Sequence, residues 1–286
     1  MTLPNRLAER LEHAAVLDRL ARPLAVFWST VLRAGPVRDV ASGTALGHPL
    51  HPAAVLVPAG AFLSSAALDA ADEASAAQRL VGLGLVSSTP AVLAGWSDWL
   101  DTEGAERRVG LVHAASNALG ITAYALSWWQ RRKGGSGRAA GVMGLSLIGI
   151  GGWLGGHLAY ALGVGVDTTT FRSGPTDWTP VAASTDVTTA LVEVDAGDVT
   201  LLLTRVNGAP VAMDNRCTHR GGGLVEGTRV GSCVECPWHG SRFDLTTGAV
   251  TRGPATRPQP TYDVREREGR VEVRRVEERS LRVNPA

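Results

Sequence analysis

The chain has 286 residues, long enough for two domains, and a formal net charge of only +1. That balance excludes the broadly basic surface that nucleic-acid binding requires. The three cysteines, Cys217, Cys233 and Cys236, fall in one short stretch beside His219 and His239, which excludes a disulfide framework and indicates a metal site.

The N-terminus opens with Pro4, Arg6, Glu9 and Arg10 and no early apolar core, so no cleavable signal peptide is expected. Leu7, Leu11, Ala14, Leu17, Leu20 and Leu24 recur near helical spacing between charged residues. They predict one amphipathic helix over 5–34, suited to a membrane interface or to packing on a soluble body. Four stretches then lack Asp, Glu, Lys and Arg: 40–68, 80–97, 109–130 and 139–166. A membrane span needs about 20 mostly apolar residues; the third and fourth offer them, the second does if Trp99 and Leu100 are included, and the first if its helix runs from about 51 to 71. Gly and Ala are abundant, as close helix packing in lipid favours. Trp96, Trp99, Trp128 and Trp129 stand at segment ends like an interfacial belt. Four crossings place both termini on one side, and the overall Arg and Lys count favours the cytoplasm.

Residues 167–177 read as a linker from their Thr, Ser, Gly and Pro. Short β-type runs follow at 189–194, 199–205, 209–213, 229–233, 248–251, 262–266 and 270–276. Asn207-Gly208 is a hairpin signal between two of them. The expected fold is multi-domain: an N-terminal four-helix transmembrane bundle and a C-terminal all-β domain. The expected boundaries are 1–39 (N-terminal helix), 40–166 (membrane domain), 167–177 (linker), 178–276 (β-domain) and 277–286 (tail).

The chemistry lies in two boxes, C-T-H-R-G at 217–221 and C-P-W-H-G-S at 236–241. Each offers one thiolate and one imidazole. A Cys₂His₂ zinc site uses the same residue types, and Cys233 and Cys236 even form C-x-x-C. Zinc-finger pairs, however, group Cys with Cys and His with His, whereas each box here mixes them and ends in Gly. The boxes resemble those of Rieske proteins, over roughly residues 178–276. The resemblance implies one [2Fe–2S] cluster per chain, with Cys217 and Cys236 on the inner iron and His219 and His239 on the outer one. Cys233 is expected to be a small buried residue rather than a ligand.

High-potential Rieske proteins carry an extra cysteine in each box, joined as a disulfide; the matching positions here are Gly222 and Trp238. Their tyrosine is replaced by Phe243, while Ser241 is present to bond a cluster sulfur. The resemblance is therefore to the ferredoxin type, with a potential in the lower Rieske range. Pro254, Pro258 and Pro260 are expected to form a stiff cover loop, and Arg220 and Trp238 to flank the ligands on a docking face. No histidine follows His239, so a second, mononuclear iron of the kind a complete oxygenase holds is not expected.

The stretch G-H-P-L-H-P at 47–52 resembles the signature of a bacterial membrane family, domain of unknown function 2231, over roughly 45–166. Topology predicts that His48, His51, Asp98, His113 and His157 share one leaflet. Ionisable groups there are candidates for function. A His113–His157 pair clamping haem b, and a quinone at His48 or His51, stand against a purely structural role. The combined expectation is a membrane-anchored Rieske protein that exchanges single electrons with a redox partner: a reductase, an oxygenase or a respiratory component. A quinol- or haem-linked membrane oxidoreductase and a redox-sensing or assembly scaffold are the alternatives. The expected location is a bacterial cell membrane, in contact with lipid and with the β-domain in the cytoplasm.

Overall fold

A computed structural model describes residues 3–276, so the tail expected at 277–286 lies outside the described residues. The chain divides into two compact units. The helical unit holds residues up to Arg33, Val40–Gly43 and Pro49–Gly165; the β-rich unit holds Ala34–Asp39, Thr44–His48 and the chain from Val166 onward.

The single helix expected over 5–34 is two, α1 (Leu3–Glu12) and α2 (Asp18–Val31). Arg108 holds the break. Its guanidinium donates to the Glu12 carbonyl at 2.8 Å and to both Asp18 carboxylate oxygens at 2.8 and 2.7 Å. One cation thereby takes up a C-terminal carbonyl of α1 and the first-turn carboxylate of α2. A short helix α3 (Pro36–Ser42) follows.

Four helices long and apolar enough to cross a membrane lie where the four spans are expected. The first is α4 (Leu50–Ala54) continued by α5 (Leu56–Ala70), 21 residues in all. The irregularity between them has a cause: Pro58 has no N–H to donate to the Ala54 carbonyl. Then come α6 (Ala74–Leu100), α7 (Gly104–Arg132) and α8 (Arg138–Tyr160), of 27, 29 and 23 residues. At 1.5 Å per residue each can cross the roughly 30 Å of bilayer hydrocarbon. Leu56, Leu63, Val86, Leu119, Val142 and Ile150 point outward from these helices. Such exposed apolar side chains suit lipid rather than water.

The two helical hairpins repeat one another, which the sequence reading did not detect. His51 meets His113 with ring centroids 6.1 Å apart, Phe62 stacks on Tyr124 at 3.9 Å, and Asp69 pairs with Arg131 at 2.6 Å. All three pairs lie 62 positions apart. On α6 and α8 the matching offset is 60. His51 Nδ1 donates to the Ala91 carbonyl at 2.8 Å and His113 Nδ1 to that of Gly151 at 2.7 Å. A Cβ on Gly84 would strike the Phe62 ring, and one on Gly144 the Tyr124 ring. Gly95 and Gly155 similarly lie against the rings of His51 and His113. Steps of 11 and 7 residues are close to three and two helical turns, so each axial triplet occupies one helix face.

The β-rich unit has two sheets. The larger runs β1 (Thr179–Ala183), β10 (Arg270–Arg275), β9 (Thr261–Arg267), β4 (Ala209–Asp214), β3 (Val199–Val206), β2 (Val192–Ala196). The smaller runs β5 (Thr228–Val230), β6 (Cys233–Glu235), β7 (Arg242–Asp244), β8 (Val250–Arg252). All pairings are antiparallel. Asn207 and Gly208 turn the β3–β4 hairpin at φ +52° and +84°, as a tight hairpin requires. The run expected at 229–233 is instead a hairpin, β5 and β6, turned at Gly231. Strand β1 was not foreseen; it is an edge strand that tolerates Pro180, with a register shift between Pro180 and Ala182.

Alternating inward residues of β3 feed two cores. Leu201 and Leu203 join Val271, Val273 and Ala212 on one face. Leu202 joins Met213, Leu224, Val234, Phe243, Leu245 and the two cysteines Cys217 and Cys236 on the other. The segment 167–177 is not a free linker. Thr168 Oγ1 donates to the Cys217 carbonyl at 2.8 Å, Arg172 pairs with buried Asp214 at 2.9 Å, and Arg275 N donates to the Pro175 carbonyl at 2.7 Å. A carboxylate buried as Asp214 is needs such a partner.

A candidate [2Fe–2S] centre

Box 1 lies between β4 and β5, and box 2 between β6 and β7. Both form the same turn. The Gly221 amide donates to the Cys217 carbonyl at 2.9 Å, and the Gly240 amide to the Cys236 carbonyl at 3.1 Å. Gly221 and Gly240 close these turns at φ +83° and +73°, a conformation glycine adopts without strain. Each turn aims two amides at its own cysteine sulfur: those of His219 and Arg220 at Cys217, and those of Trp238 and His239 at Cys236. Such donors stabilise thiolate charge.

The structure places the four expected ligands as two pairs, one of cysteines and one of histidines. Cys217 and Cys236 are buried and hydrogen-bonded to each other, and neither is in a disulfide. The Cys217 thiol is pushed up by that bond and by burial, while the bond from Cys217 pulls Cys236 down to about 7. The His219 and His239 rings meet edge to face with centroids 5.1 Å apart, and both are half-buried. Burial first, then the charges of His239, Arg220 and Arg38, holds His219 down to about 3. It is therefore a neutral imidazole across the physiological range, the form that binds metal. Among the described residues no three His, Cys, Asp or Glu side chains converge as a single-ion site would require. A thiol pair on the core side and an imidazole pair nearer the surface fit a two-iron cluster better than one zinc ion.

Residues that the sequence reading missed hold this frame. Gln259, almost fully buried, accepts from Thr218 N at 3.1 Å and donates to the carbonyls of Asp214 at 2.6 Å and Arg216 at 2.7 Å. Thr218 Oγ1 donates to the Arg257 carbonyl at 3.0 Å. The expected cover loop, between β8 and β9, is thus bonded to box 1. It also reaches box 2, since Ala255 N donates to Ser241 Oγ at 2.9 Å. A polar residue between Pro258 and Pro260 was the only signal for Gln259. Phe243 is fully buried behind the cysteines. Trp238 is 57% exposed, and its ring lies where a Cβ on Gly222 would come within 2.9 Å. At the two positions where high-potential members would be bridged, this chain packs an indole on a glycine. Cys233 is half-exposed rather than buried, with Sγ 3.6 Å from Thr251 Oγ1, and stands outside the centre.

The membrane histidines are arranged differently from the expectation. His113 pairs with His51, not with His157. Its ring lies against Gly151 and Gly155, and a residue two positions beyond Gly155 points about 200° away around the helix. His157 instead donates from Nε2 to Glu12 at 2.8 Å and stacks on Trp153. His48 is exposed and groups with the β-rich unit. His113 and His157 are therefore not paired as a haem clamp would need. The Nδ1–carbonyl bonds of His51 and His113 tie neighbouring helices together.

Comparison with known proteins agrees with this division. A family model described as Rieske [2Fe-2S] domain matches residues 177–263, and one described as predicted membrane protein (DUF2231) matches 47–168. Ferredoxin CarAc of Metapseudomonas resinovorans is 34% identical over 98 residues, covering 34% of this chain and 92% of its own. The ferredoxin component of a naphthalene 1,2-dioxygenase system from Pseudomonas aeruginosa is 38% identical over 84 residues, covering 27% and 81%. A solved complex of reduced oxygenase and oxidized ferredoxin in carbazole 1,9a-dioxygenase contains a chain 33% identical, covering 35% of this chain and 95% of that one, with TM-score 0.33. Two buried thiols, two imidazoles and this likeness over nearly whole ferredoxins lead to one conclusion: the chain belongs to the Rieske [2Fe–2S] family through its C-terminal domain, which follows a DUF2231 membrane domain.

Proposed function

We propose that the chain is a membrane-held Rieske electron carrier. It passes single electrons to a redox partner protein of the oxygenase, reductase or respiratory type, with the β-domain on the cytoplasmic side. The observation that carries this reading is the polarity of the centre: thiols in the core, imidazoles half-buried, and Trp238 exposed beside them. The bound cluster supplies reversible one-electron chemistry. The chain's residues do the rest. The amides at 219, 220, 238 and 239 stabilise sulfur charge, and Gln259 fixes the turn that aims the first pair. His219 stays unprotonated, and the exposed indole of Trp238 offers a partner an apolar contact. The ferredoxin components among the relatives favour an oxygenase as that partner. The outward apolar faces of the four spans favour an integral anchor.

Two measurements test this. Membranes washed with alkaline carbonate should retain the chain, and their dithionite-reduced EPR signal should vanish when oxidised cytochrome c is added as acceptor. A signal in the wash, or one that persists with the acceptor, would refute the reading. Half-exposed Cys233 reports the side: a membrane-impermeant maleimide should label it in lysed but not in intact cells.

A further inference from the structure

Helices α1 and α2 meet three of the spans at one level. Glu12, at the end of α1, accepts from His157 Nε2 of α8 at 2.8 Å. Asp18, at the start of α2, holds Arg108 of α7 through both carboxylate oxygens. Trp28, near the end of α2, stacks on Trp96 of α6 with ring centroids 4.9 Å apart. At 1.5 Å per residue, His157 lies about 4.5 Å from the end of α8, Arg108 about 6 Å from the start of α7 and Trp96 about 6 Å from the end of α6. Those three helix ends lie on the same side of an up-and-down bundle. Between Asp18 and Trp28, α2 advances about 15 Å along its axis while its two anchors keep the same depth. It therefore runs across the span axes rather than along them. Its faces are divided to match. Ala21 is buried with Trp99 and Leu111. Leu20, Phe27 and Val31, at steps of seven and four residues, form a second apolar line, and this one is exposed. Arg22 and Ser29, also exposed, stand on the side of the helix opposite Leu20.

We propose that α1 and α2 form an in-plane arm at the membrane–water boundary, with Leu20, Phe27 and Val31 among lipid chains and Arg19 and Arg22 at anionic headgroups. The inference rests on the reading of α4–α8 as membrane spans. Lipid is the occupant of the exposed line because that line lies beside Trp96 and Trp99, at the level where the outward apolar faces of the spans end. Indole rings at span ends mark the boundary of the hydrocarbon. A helix that is apolar on one side and carries arginine on the other is the form that lies flat in such a boundary. The same division recurs on α1, where exposed Leu3 and Leu7 stand beside exposed Arg6 and Arg10. The arm gives the chain a hold on the bilayer that responds to lipid charge, which apolar spans alone do not supply.

The test is site-directed spin labelling of the full-length protein in phospholipid vesicles, with the Cys233→Ser parent as background. Labels are placed through Leu20→Cys, Phe27→Cys and Arg22→Cys, and through Leu119→Cys on the outward face of α7 as a span control. EPR power saturation compares collision with oxygen, which concentrates in lipid, and with a nickel chelate, which stays in water. The labels at 20 and 27 should favour oxygen, and the label at 22 the chelate. In vesicles that contain phosphatidylglycerol the labels at 20 and 27 should shift further toward oxygen than in phosphatidylcholine alone. Arg19→Gln with Arg22→Gln should abolish that shift. Preference for the chelate at 20 and 27 would overturn the proposal in favour of a helix in water. Protection from both reagents would overturn it in favour of a second copy of the chain or another protein. A response indifferent to lipid charge would overturn the headgroup contact. A label at 119 without preference for oxygen would refute the reading of the spans instead.

Discussion

Replacing Gln259 by Leu keeps the side-chain volume nearly constant but removes three hydrogen bonds, to Thr218 N and to the Asp214 and Arg216 carbonyls. Thr218 and Asp214 are buried, so their backbone groups find no water in exchange. A buried group left unpaired costs about 1–3 kcal/mol. Two of them, with the partly exposed third, sum to about 4 kcal/mol, a large part of the 5–15 kcal/mol that holds a typical domain. For a domain of about 100 residues this lowers Tm by about 15 °C or more. The loss should focus on box 1, because those bonds fix the turn that carries Cys217 and His219. The assay is the thermal loss of cluster absorbance in the full-length protein, with iron per chain at 25 °C. Gln259→Leu should melt earlier and hold less iron. Wild-type iron content with an unchanged Tm would show that the cover loop does not support the centre.

Two other perturbations have clear expectations. Asp244 accepts from the amides of Thr246 and Thr247 and from Thr247 Oγ1, and these bonds hold its carboxyl below the usual range. A carboxyl lowered in the folded state stabilises it above its unfolded pKa, and the contribution fades as pH falls through the folded value. The stability advantage of wild type over Asp244→Ala, measured by denaturant unfolding, should therefore be full at pH 7 and shrink below about pH 4; an advantage independent of pH would refute the assignment. Arg131 and Asp69 form a nearly buried pair, with Arg131 bonding both carboxylate oxygens at 2.8 and 2.6 Å. Arg131→Met should cost about 3 kcal/mol in detergent unfolding, because it leaves the largely buried carboxylate only the more distant Arg138, at 3.9 Å. Exchange of the two residues should recover part of that loss, and no recovery would count against the repeat of the hairpins.

The legible parts of this protein were those with a local signature. The two boxes hold their candidate ligands within five or six residues each, and the candidate spans show themselves by the absence of charge over a bilayer's length. What stayed hidden depends on contacts between distant positions. Gln259 serves box 1 from some 40 residues downstream, and Thr168 serves it from some 50 residues upstream. The segment 167–177 has the composition of a linker, yet Arg172 is drawn in by a carboxylate that only the fold buries. Strand β1 is held by its pairing with β10 rather than by its own sequence, which begins Thr-Pro. The helical break after Glu12 is stabilised by an arginine almost a hundred residues later. The histidines were expected to gather by depth alone. Depth places residues on a level, but the direction around each helix decides which of them meet.

The axial pairs of the membrane unit constrain how it can be assembled. When two copies of one sequence meet across a two-fold axis, every axial residue faces itself. His51 opposite His113 and Phe62 opposite Tyr124 nearly obey that rule, whereas Asp69 opposite Arg131 breaks it. Two first hairpins associated as a homodimer would set carboxylate against carboxylate, and two second hairpins guanidinium against guanidinium. Pairing of the two unlike hairpins sets opposite charges there instead, so this contact favours the tandem over a pair of like halves.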